Sequence, residues 1–386
     1  MTTTKPDKPL ANVRVVEIGT SVAAPYAGWI LGALGADVIK VERPDGGDDA
    51  RQWGNMFADG TSSTFHYLNA EKRSITVDLK DDGQRIWLQD FCGSKADVVI
   101  QNLRPGHVDR YGIGADDLTK ANPRLVYCNL WSFGNGGPMQ QRPGYDPLMQ
   151  ALSGIMSVTG EVGRPPVRVG PSMIDMGTGM WCVIGILAAL NRRQETGQGG
   201  VVDASLYETA LGWMANAVPT AQATGKSPGR QGTTARGMAP YQAYECSDGY
   251  LIVAAPNDRL FERLCGVLEH PEWTADARFA TNQDRWENLG ELNALMEPIL
   301  KTRARNDWRE MLDAVGVPSA PVRDTLEMME DPQSRALGII QRLGAEGPEL
   351  ITMPVSFDGV RPALTRYAPG LGEHTDELKE EDDKTD

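Results

Sequence analysis

The chain begins with a strand-helix-strand pattern, and this pattern most constrains its fold. Residues 13–18 form a compact apolar run, which is typical of a strand buried on both faces. A loop of small residues follows, and Pro25 suits the first turn of a helix, where its missing N–H does no harm. Gly35 lies where that helix should end, and residues 36–41 form the next apolar strand. Two strands joined through a helix run parallel, so the sequence predicts a parallel sheet.

The same alternation continues further along the chain. Strands are predicted at residues 74–79, 98–101, 125–130 and 201–206, and helices at residues 81–94, 147–156, 174–193 and 207–223. We therefore predict an α/β fold with a large domain built on a Rossmann-like parallel sheet.

Composition changes after the last of these helices. Residues 225–240 are rich in glycine and proline, which indicates a linker or a functional loop. The following residues, 241–325, combine a short strand pattern with polar helices and predict a smaller α+β domain. The large domain then comprises residues 1–224 together with 326–386, and its charged end, residues 377–386, is predicted to be disordered.

Charge and cysteine content exclude several classes of function. The formal net charge is −14, and an acidic chain is repelled by phosphate polymers, so we expect no nucleic-acid partner. The five cysteines show no C-x-x-C spacing and the four histidines no H-E-x-x-H pattern, so no metal is expected. The N-terminus lacks the apolar core of a signal peptide, and the apolar run at residues 180–190 is too short to span a bilayer. We expect a cytoplasmic protein without a membrane partner.

The first turn argues against a nicotinamide cofactor. Glu42 closes the second strand at the position where a dinucleotide-binding fold needs an acid for the ribose. However, Ser21 and Ala24 stand where the glycines of that fingerprint should follow Gly19. A pyrophosphate could not approach the backbone closely there, so we expect no NAD.

Asp175 is the acid of greatest chemical interest, because it stands at the head of the long apolar helix. One interpretation is an ordinary helix-capping aspartate. Gly177 and Gly179 weaken a helix start, and they suggest instead that a ligand approaches the backbone beside the carboxylate. An aspartate with its ordinary pKa of about 3.9 is ionised at neutral pH and can attack a thioester without a general base.

Positive charge is predicted to gather at one edge of the sheet. Arg43 ends the second strand and Asn102 ends the fourth, and Arg104 and Arg110 follow soon after. The carboxyl ends of parallel strands share one edge, where ligands of α/β proteins bind. The phosphates of a coenzyme would need such a cluster, although a single arginine is usually a solvated surface residue.

Several segments together resemble the class III CoA-transferases, the group of formyl-CoA transferase and carnitine CoA-transferase. The similar segments are residues 35–43 (GADVIKVER), 72–75 (KRSI), 96–102 (ADVVIQN), 144–146 (GYD), 175–190, 196–199 (TGQG) and 371–375 (LGEHT). The resemblance extends over nearly the whole chain, from about residue 10 to residue 374.

This resemblance implies a function and a site. The catalytic aspartate of the family falls on Asp175, which would become acylated and later carry coenzyme A as an aspartyl thioester. The implied coenzyme A contacts are Ser21, Val22, Ala23, Arg43, Val77, Asn102, Leu103 and Arg110. The substrates would be an acyl-CoA and a carboxylic acid whose identities stay open, and the family fold implies an interlocked homodimer.

Two alternatives remain at this point. The family is similar to α-methylacyl-CoA racemase, which needs a histidine in a Gly-His-Asp triplet, whereas this chain has Tyr145 there. A tyrosine with a pKa near 10 is a poor base at neutral pH, so a transferase is favoured, with Tyr145 as a candidate on the substrate side. The second alternative is a non-catalytic acyl-CoA-binding protein.

Overall fold

The computed structural model describes residues 8–58 and 60–383, which form two compact units. The larger unit contains the residues up to 155, residues 168–223 and the residues from 332 onward; the second unit contains residues 156–167 and 224–331. Up to residue 224, the elements in chain order are β1 (Arg14–Ile18), α1 (Ala23–Ala33), β2 (Asp37–Glu42), α2 (Ser63–Asn69), β3 (Lys72–Thr76), α3 (Asp82–Lys95), β4 (Val98–Gln101), α4 (Ala115–Ala121), β5 (Val126–Trp131), α5 (Asp146–Leu152), α6 (Ile155–Val158), α7 (Met173–Thr196), β6 (Gly200–Ser205), α8 (Leu206–Trp213) and α9 (Ala217–Thr224).

The larger unit is built on a six-stranded, fully parallel sheet with the strand order β3-β2-β1-β4-β5-β6. Val16 in the central strand β1 lies beside Ile39 in β2 and Val99 in β4. The order reverses between β1 and β4, which is the switch point where ligands of such folds bind. The prediction of a Rossmann-like α/β sheet is confirmed.

Each face of this sheet carries its own apolar core. One core joins α1 and α7 to side chains such as Val15 and Ile100. The other places α3 and α4 over Val16, Ile39 and Tyr127. Strands covered on both faces read as continuous apolar runs, which explains why their positions were visible in the sequence.

The long helix α7 extends further than the sequence suggested. It runs over 24 residues, compared with a predicted helix at residues 174–193. Among the described residues it is the one helix long and apolar enough in composition to cross a membrane, and half of its most apolar 18-residue window is buried inside the fold.

The second unit has an antiparallel three-stranded sheet, in the order β7-β8-β9, with helices packed on it. Its elements are β7 (Tyr241–Cys246), β8 (Gly249–Ala254), α10 (Asp258–Val267), α11 (Asn282–Glu287), α12 (Leu289–Leu300), α13 (Arg305–Ala314), β9 (Ser319–Pro321) and α14 (Thr325–Glu330). Its core contains Tyr244, Phe261 and Trp308. The expected smaller α+β domain is therefore present.

The limits of this unit differ from the predicted domain limits. Residues 225–240, predicted as a linker, belong to the second unit together with residues 156–167. The two segments are joined where the amide of Gly232 donates to the carbonyl of Gly160 at 2.9 Å. The unit also continues to residue 331, because Arg305 of α13 pairs with Glu327 of α14 at 2.8 Å.

Some predicted elements are displaced or interrupted. The third strand occupies Lys72–Thr76 instead of residues 74–79. The predicted helix at residues 207–223 is broken into α8 and α9. The helix α2, which the sequence analysis missed, is capped by Ser62, whose side chain accepts a hydrogen bond from the amide of Phe65.

The end of the chain returns to the large sheet. Its elements are α15 (Pro332–Ala336), β10 (Ile340–Gln341), β11 (Leu350–Ile351) and α16 (Thr375–Asp383). The amide of His374 donates to the carbonyl of Ser74 at 2.9 Å, and the amide of Thr76 donates to Thr375 Oγ1 at 3.1 Å. These bonds cover the outer edge of β3, the terminal strand of the sheet.

The prediction of a disordered tail is wrong for residues 377–383; residues 384–386 lie outside the described part. Glu377 and Glu381 of α16 both pair with Arg73 Nη1 at 3.0 Å. Leu378 is fully buried in the core that also contains Val16 and Ile39. A charged sequence alone did not reveal this single apolar anchor.

We predict that Leu378→Ala lowers the free energy of unfolding by about 2–4 kcal/mol, because it empties a fully buried site. Urea unfolding of the full chain measures this change. The neighbouring exposed residue provides a matched control, since Lys379→Ala should change stability by no more than about 0.5 kcal/mol. Equal effects of the two substitutions would show that α16 does not dock as described.

Candidate active site

A cavity of about 290 Å³ opens at the carboxyl ends of β1, β2 and β4. Gly19 and Thr20 of the β1–α1 loop line it, together with three residues predicted to contact coenzyme A: Arg43, Val77 and Leu103. Further lining comes from Leu79, Lys80, His107 and Tyr111, which the sequence analysis did not single out. His107 and Tyr111 stand four residues apart and contact each other edge to face at 5.5 Å. The spacing of these two aromatic side chains after β4 is the sequence pattern from which they could have been predicted to line the cavity.

The other predicted contact residues lie around this cavity without lining it. Ser21 has a left-handed backbone with φ +70°, and Val22 and Ala23 are buried at the start of α1. Arg110 is exposed in the short 3₁₀ turn Asp109–Tyr111. Asn102 holds the loop, because its Oδ1 accepts from the amide of Thr20 at 3.0 Å and its Nδ2 donates to the carbonyl of Thr20 at 2.8 Å.

Arg43 supplies positive charge at the mouth of the cavity. Its side chain is 58% exposed, and its Nη2 lies 2.5 Å from Asp49 Oδ1. Its Nε donates to the carbonyl of Asp45. An exposed ion pair of this kind contributes little to stability, so the guanidinium can exchange Asp49 for an anionic ligand.

The carboxylate of Glu42 is hydrogen-bonded within the protein and is therefore not available to a nucleotide ribose. Arg51 donates to both of its carboxylate oxygens, at 2.6 and 2.8 Å. Ser74 Oγ and the amide of Asp48 supply further hydrogen bonds. Burial alone would raise the pKa of Glu42, but Arg51, Lys40 and Ser74 outweigh it and the pKa lies below its ordinary value. This saturated carboxylate gives a second reason, besides the missing glycines, against a dinucleotide fingerprint.

Asp175 lies in the first turn of α7, three residues after the N-cap residue Ser172. It is therefore not the capping residue. Burial, and then the charge of Asp146, raise the pKa of Asp175 to about 7. The expectation of an aspartate with an ordinary pKa is wrong, because the carboxylate is largely withdrawn from water and faces a like charge.

Asp146, and not Asp175, caps helix α7. Its Oδ2 accepts from the amides of Ile174 at 2.7 Å and Asp175 at 3.2 Å, so a carboxylate from α5 caps α7. Its Oδ1 accepts from Gln150 Nε2. Asp146 is 2% exposed, and the sequence analysis gave it no role although it stands in the GYD segment. Pro147 after it, a residue favoured in a first helical turn, was the available signal.

The two glycines near Asp175 serve helix packing. A Cβ on Gly179 would lie 2.7 Å from the carbonyl oxygen of Ala23 and 3.1 Å from the ring of Tyr26. A Cβ on Gly177 would lie about 3.1 Å from Trp213. The interpretation that a ligand approaches the backbone here is corrected, since α1 and α8 already fill this space.

Tyrosines flank Asp175 on the sides formed by α1 and α2. Tyr26 lies on Gly179, one helical turn after Asp175 on the same face of α7. Burial, the charge of Asp175 and the neighbouring Tyr26 raise the pKa of Tyr67 to about 12. Tyr145, the N-cap residue of α5, is 62% exposed. The surroundings of Asp175 thus include the Tyr67 hydroxyl, which stays protonated, and the carboxylate of Asp146.

The cysteines of the described residues show no sign of a reactive thiolate. All five cysteines are buried, and burial raises the pKa of Cys92 to about 12, so a reactive thiolate is disfavoured. Among residues 8–58 and 60–383, no group of three or more His, Cys, Asp or Glu side chains could hold a metal ion.

The raised pKa of Asp175 predicts a pH-dependent stability. Because the pKa of Asp175 is higher in the folded state than in the unfolded state, ionisation of Asp175 opposes folding. The stability that is fully present while Asp175 is protonated is therefore lost as the pH rises through about 7. Asp175→Asn should therefore stabilise the protein by about 1–4 kcal/mol at pH 8, with a gain that shrinks toward pH 4. Urea unfolding at several pH values measures this. Asp90→Asn, an exposed change on α3, is the control, and equal pH profiles for both variants would contradict the prediction.

Known proteins are similar to this chain over nearly its full length. Acetyl-CoA:oxalate CoA-transferase of Acetobacter aceti is 36% identical over 382 residues, which cover 98% of this chain and 97% of that protein. Succinate–glutarate CoA-transferase of Agrobacterium fabrum is 35% identical over 375 residues, which cover 95% of this chain and 94% of that protein. A crystal structure of a CAIB/BAIF family protein from Brucella suis matches with a TM-score of 0.90 and 38% identity, covering 97% of this chain and 99% of that one.

Residues 10–375 match the family described as CoA-transferase family III. The match includes the β1–α1 loop, the cavity at the sheet edge and the first turn of α7. The resemblance inferred from the sequence segments is confirmed, and the chain belongs to CoA-transferase family III.

Proposed function

We propose that this protein transfers coenzyme A from an acyl-CoA to a carboxylic acid through a covalent intermediate on Asp175. Transfer of coenzyme A to an acid is supported by the names of the relatives. The observation that carries the covalent step is a half-buried aspartate whose pKa is raised to about 7 in the first turn of α7. A strongly perturbed group of this kind marks a candidate nucleophile.

The reaction proceeds through four successive acyl transfers. The Asp175 carboxylate attacks the thioester carbonyl, which forms a mixed anhydride and releases the coenzyme A thiolate. The thiolate attacks the aspartyl carbonyl and expels the donor acid, leaving an aspartyl-CoA thioester. The acceptor carboxylate attacks this thioester, which forms a second anhydride and releases the thiolate again. Attack of the thiolate on the acceptor acyl group yields the new acyl-CoA and free Asp175.

The surroundings of Asp175 favour the first step. Burial and the charge of Asp146 disfavour the ionised carboxylate, and acylation converts that carboxylate into a neutral anhydride. The covalent intermediate is therefore relieved of the electrostatic cost that the free carboxylate bears. At neutral pH about half of the sites are still ionised, so the nucleophile is available without a general base.

Coenzyme A would occupy the cavity at the carboxyl edge of the sheet. Arg43 and Lys80 at its margin, and the exposed Arg110 nearby, offer cations for the phosphates. His107 and Tyr111 offer aromatic surface for the adenine. The acceptor is proposed to be a short dicarboxylic acid, because the relatives are named for oxalate and glutarate.

We further propose that the active form is a homodimer. Helix α7 exposes Met180, Trp181 and Ile184 to about one half each, on one side of the helix. Exposed apolar side chains in such a row are suited to contact with a second copy of the chain.

A threaded dimer would not separate on dilution, because its chains would have to unfold first. Sedimentation velocity at nanomolar concentration should therefore show a single dimeric species. Monomers that appear reversibly on dilution would contradict the threaded arrangement.

The covalent step is tested by trapping. Hydroxylamine added with acyl-CoA should convert the acylated Asp175 into a hydroxamate, and mass spectrometry should place the label on the peptide that contains this residue. Asp175→Asn should keep the fold and coenzyme A binding but lose transfer, because an amide is a far poorer nucleophile. Asp90→Asn is the control with unchanged labelling. A label on another residue, or near-normal transfer by Asp175→Asn, would refute the mechanism.

A further inference from the structure

Four ionisable side chains are buried together beneath the β1–α1 loop: Glu17, Lys40, Asp48 and Lys72. Glu17 Oε1 accepts from Lys40 Nζ at 2.9 Å, and its Oε2 accepts from Lys72 Nζ at 2.7 Å. Lys40 Nζ also pairs with Asp48 Oδ2 at 2.9 Å. Two cations and two carboxylates balance one another, which is the condition for keeping charges in a protein interior. We call these four residues the buried ion cluster.

The buried ion cluster also forms hydrogen bonds with the backbone of the β1–α1 loop and of the first turn of α1. Lys40 Nζ donates to the carbonyl of Gly19 at 2.8 Å, and Lys72 Nζ donates to the carbonyl of Pro25 at 2.8 Å. Asp48 Oδ1 accepts from the amide of Ser21 at 3.0 Å. The backbone of the intervening residue, Thr20, is held at both its amide and its carbonyl by Asn102. Consecutive polar groups of the loop are thus fixed by side chains from other segments.

The loop needs this support because one of its residues is strained. Ser21 adopts φ +70°, a left-handed conformation that side chains other than glycine rarely take. Such a conformation persists where the surroundings impose it. Here the amide of Ser21 donates to Asp48, and Gly19 and Thr20, directly before Ser21, line the cavity proposed for coenzyme A.

We propose that Asp48, Lys40, Glu17 and Lys72 are positioning residues, which hold the β1–α1 loop in its coenzyme A-binding shape before the ligand arrives. This inference rests on the proposed function for the identity of the ligand. It assigns a role to Lys40 and Lys72, two residues of the GADVIKVER and KRSI segments that do not themselves line the cavity.

Hydrogen exchange of the wild-type chain tests the inference without any substitution. In a preformed loop, the amides of Thr20 and Ser21 should exchange as slowly in the free protein as amides in the neighbouring strands. Adding coenzyme A should then change their exchange little. Rapid exchange in the free protein, followed by protection only after coenzyme A is added, would overturn the proposal. The free-protein measurement stands even if the chain fails to bind coenzyme A, so failure of the proposed function is distinguishable.

A double-substitution cycle tests the link to Ser21. Asp48→Ala should weaken coenzyme A binding about tenfold, because the left-handed conformation loses its support. In the Ser21→Gly background the same Asp48→Ala change should weaken coenzyme A binding clearly less, since glycine adopts this conformation without strain. Dissociation constants measured by calorimetry, on variants whose circular dichroism matches the wild type, give both values.

Arg43→Ala is the matched control for this cycle. It removes a proposed direct contact instead of a support for the loop, so its binding defect should be the same with and without Ser21→Gly. An unchanged dissociation constant in Asp48→Ala would overturn the positioning role. An equal loss in both backgrounds would do the same, because the carboxylate would then act independently of the loop conformation.

Discussion

The pairing of two buried lysines with Glu17 is the interaction on which the rest of the large unit depends. Glu17 lies in β1, and its partners Lys40 and Lys72 lie in β2 and β3, so one carboxylate ties three neighbouring strands together. Burial alone would lower the pKa of Lys40, but Glu17 and Asp48 outweigh it and the pKa lies above its ordinary value. Loss of one member of such a buried pair costs about 3–5 kcal/mol, since the other charge stays behind.

The same interaction sets how closely α1 can approach the sheet. A side chain at Gly28 would collide with the carboxylate of Glu17, so glycine allows α1 to lie directly over the charges. On its other side α1 packs against α7 at Gly179. One helix therefore joins the loop at the cavity to the helix that carries Asp175. The loop at the cavity and the helix that carries Asp175 are thus linked through α1, by close contacts at Gly28 and Gly179, instead of by a flexible segment.

Much of the fold could be predicted from the sequence because its signals are local. Strands such as Val98–Gln101 lie where their apolar runs predicted them, and α1 ends near Gly35. Residues of the site could be predicted only where they directly follow a strand, because this position places them at the carboxyl edge of the sheet. Arg43, Val77 and Leu103 line one cavity because each follows a strand whose carboxyl end faces the same edge.

The remaining features depend on contacts between residues far apart in the chain. Asp146 caps α7 across 28 positions, and Asn102 holds Thr20 across 82. No periodicity within one segment encodes such pairs. The charged end of the chain was misjudged for the same reason, since the partner of Glu377 is Arg73. The pKa of Asp175 likewise could not follow from its own neighbours, because it is set by burial and by α5.

The near-neutral pKa of Asp175 has a consequence for the proton balance of turnover. At pH 7 about half of the molecules carry a proton on this carboxylate. In the proposed mechanism, conversion of the free enzyme and an acyl-CoA into the aspartyl-CoA thioester and an ionised donor carboxylate would then release about half a proton per site to the solvent, and regeneration of the free Asp175 carboxylate would take it back. The heat measured for formation of the intermediate will accordingly include the ionisation enthalpy of the buffer, and the calorimetric signal will vary between buffers of equal pH.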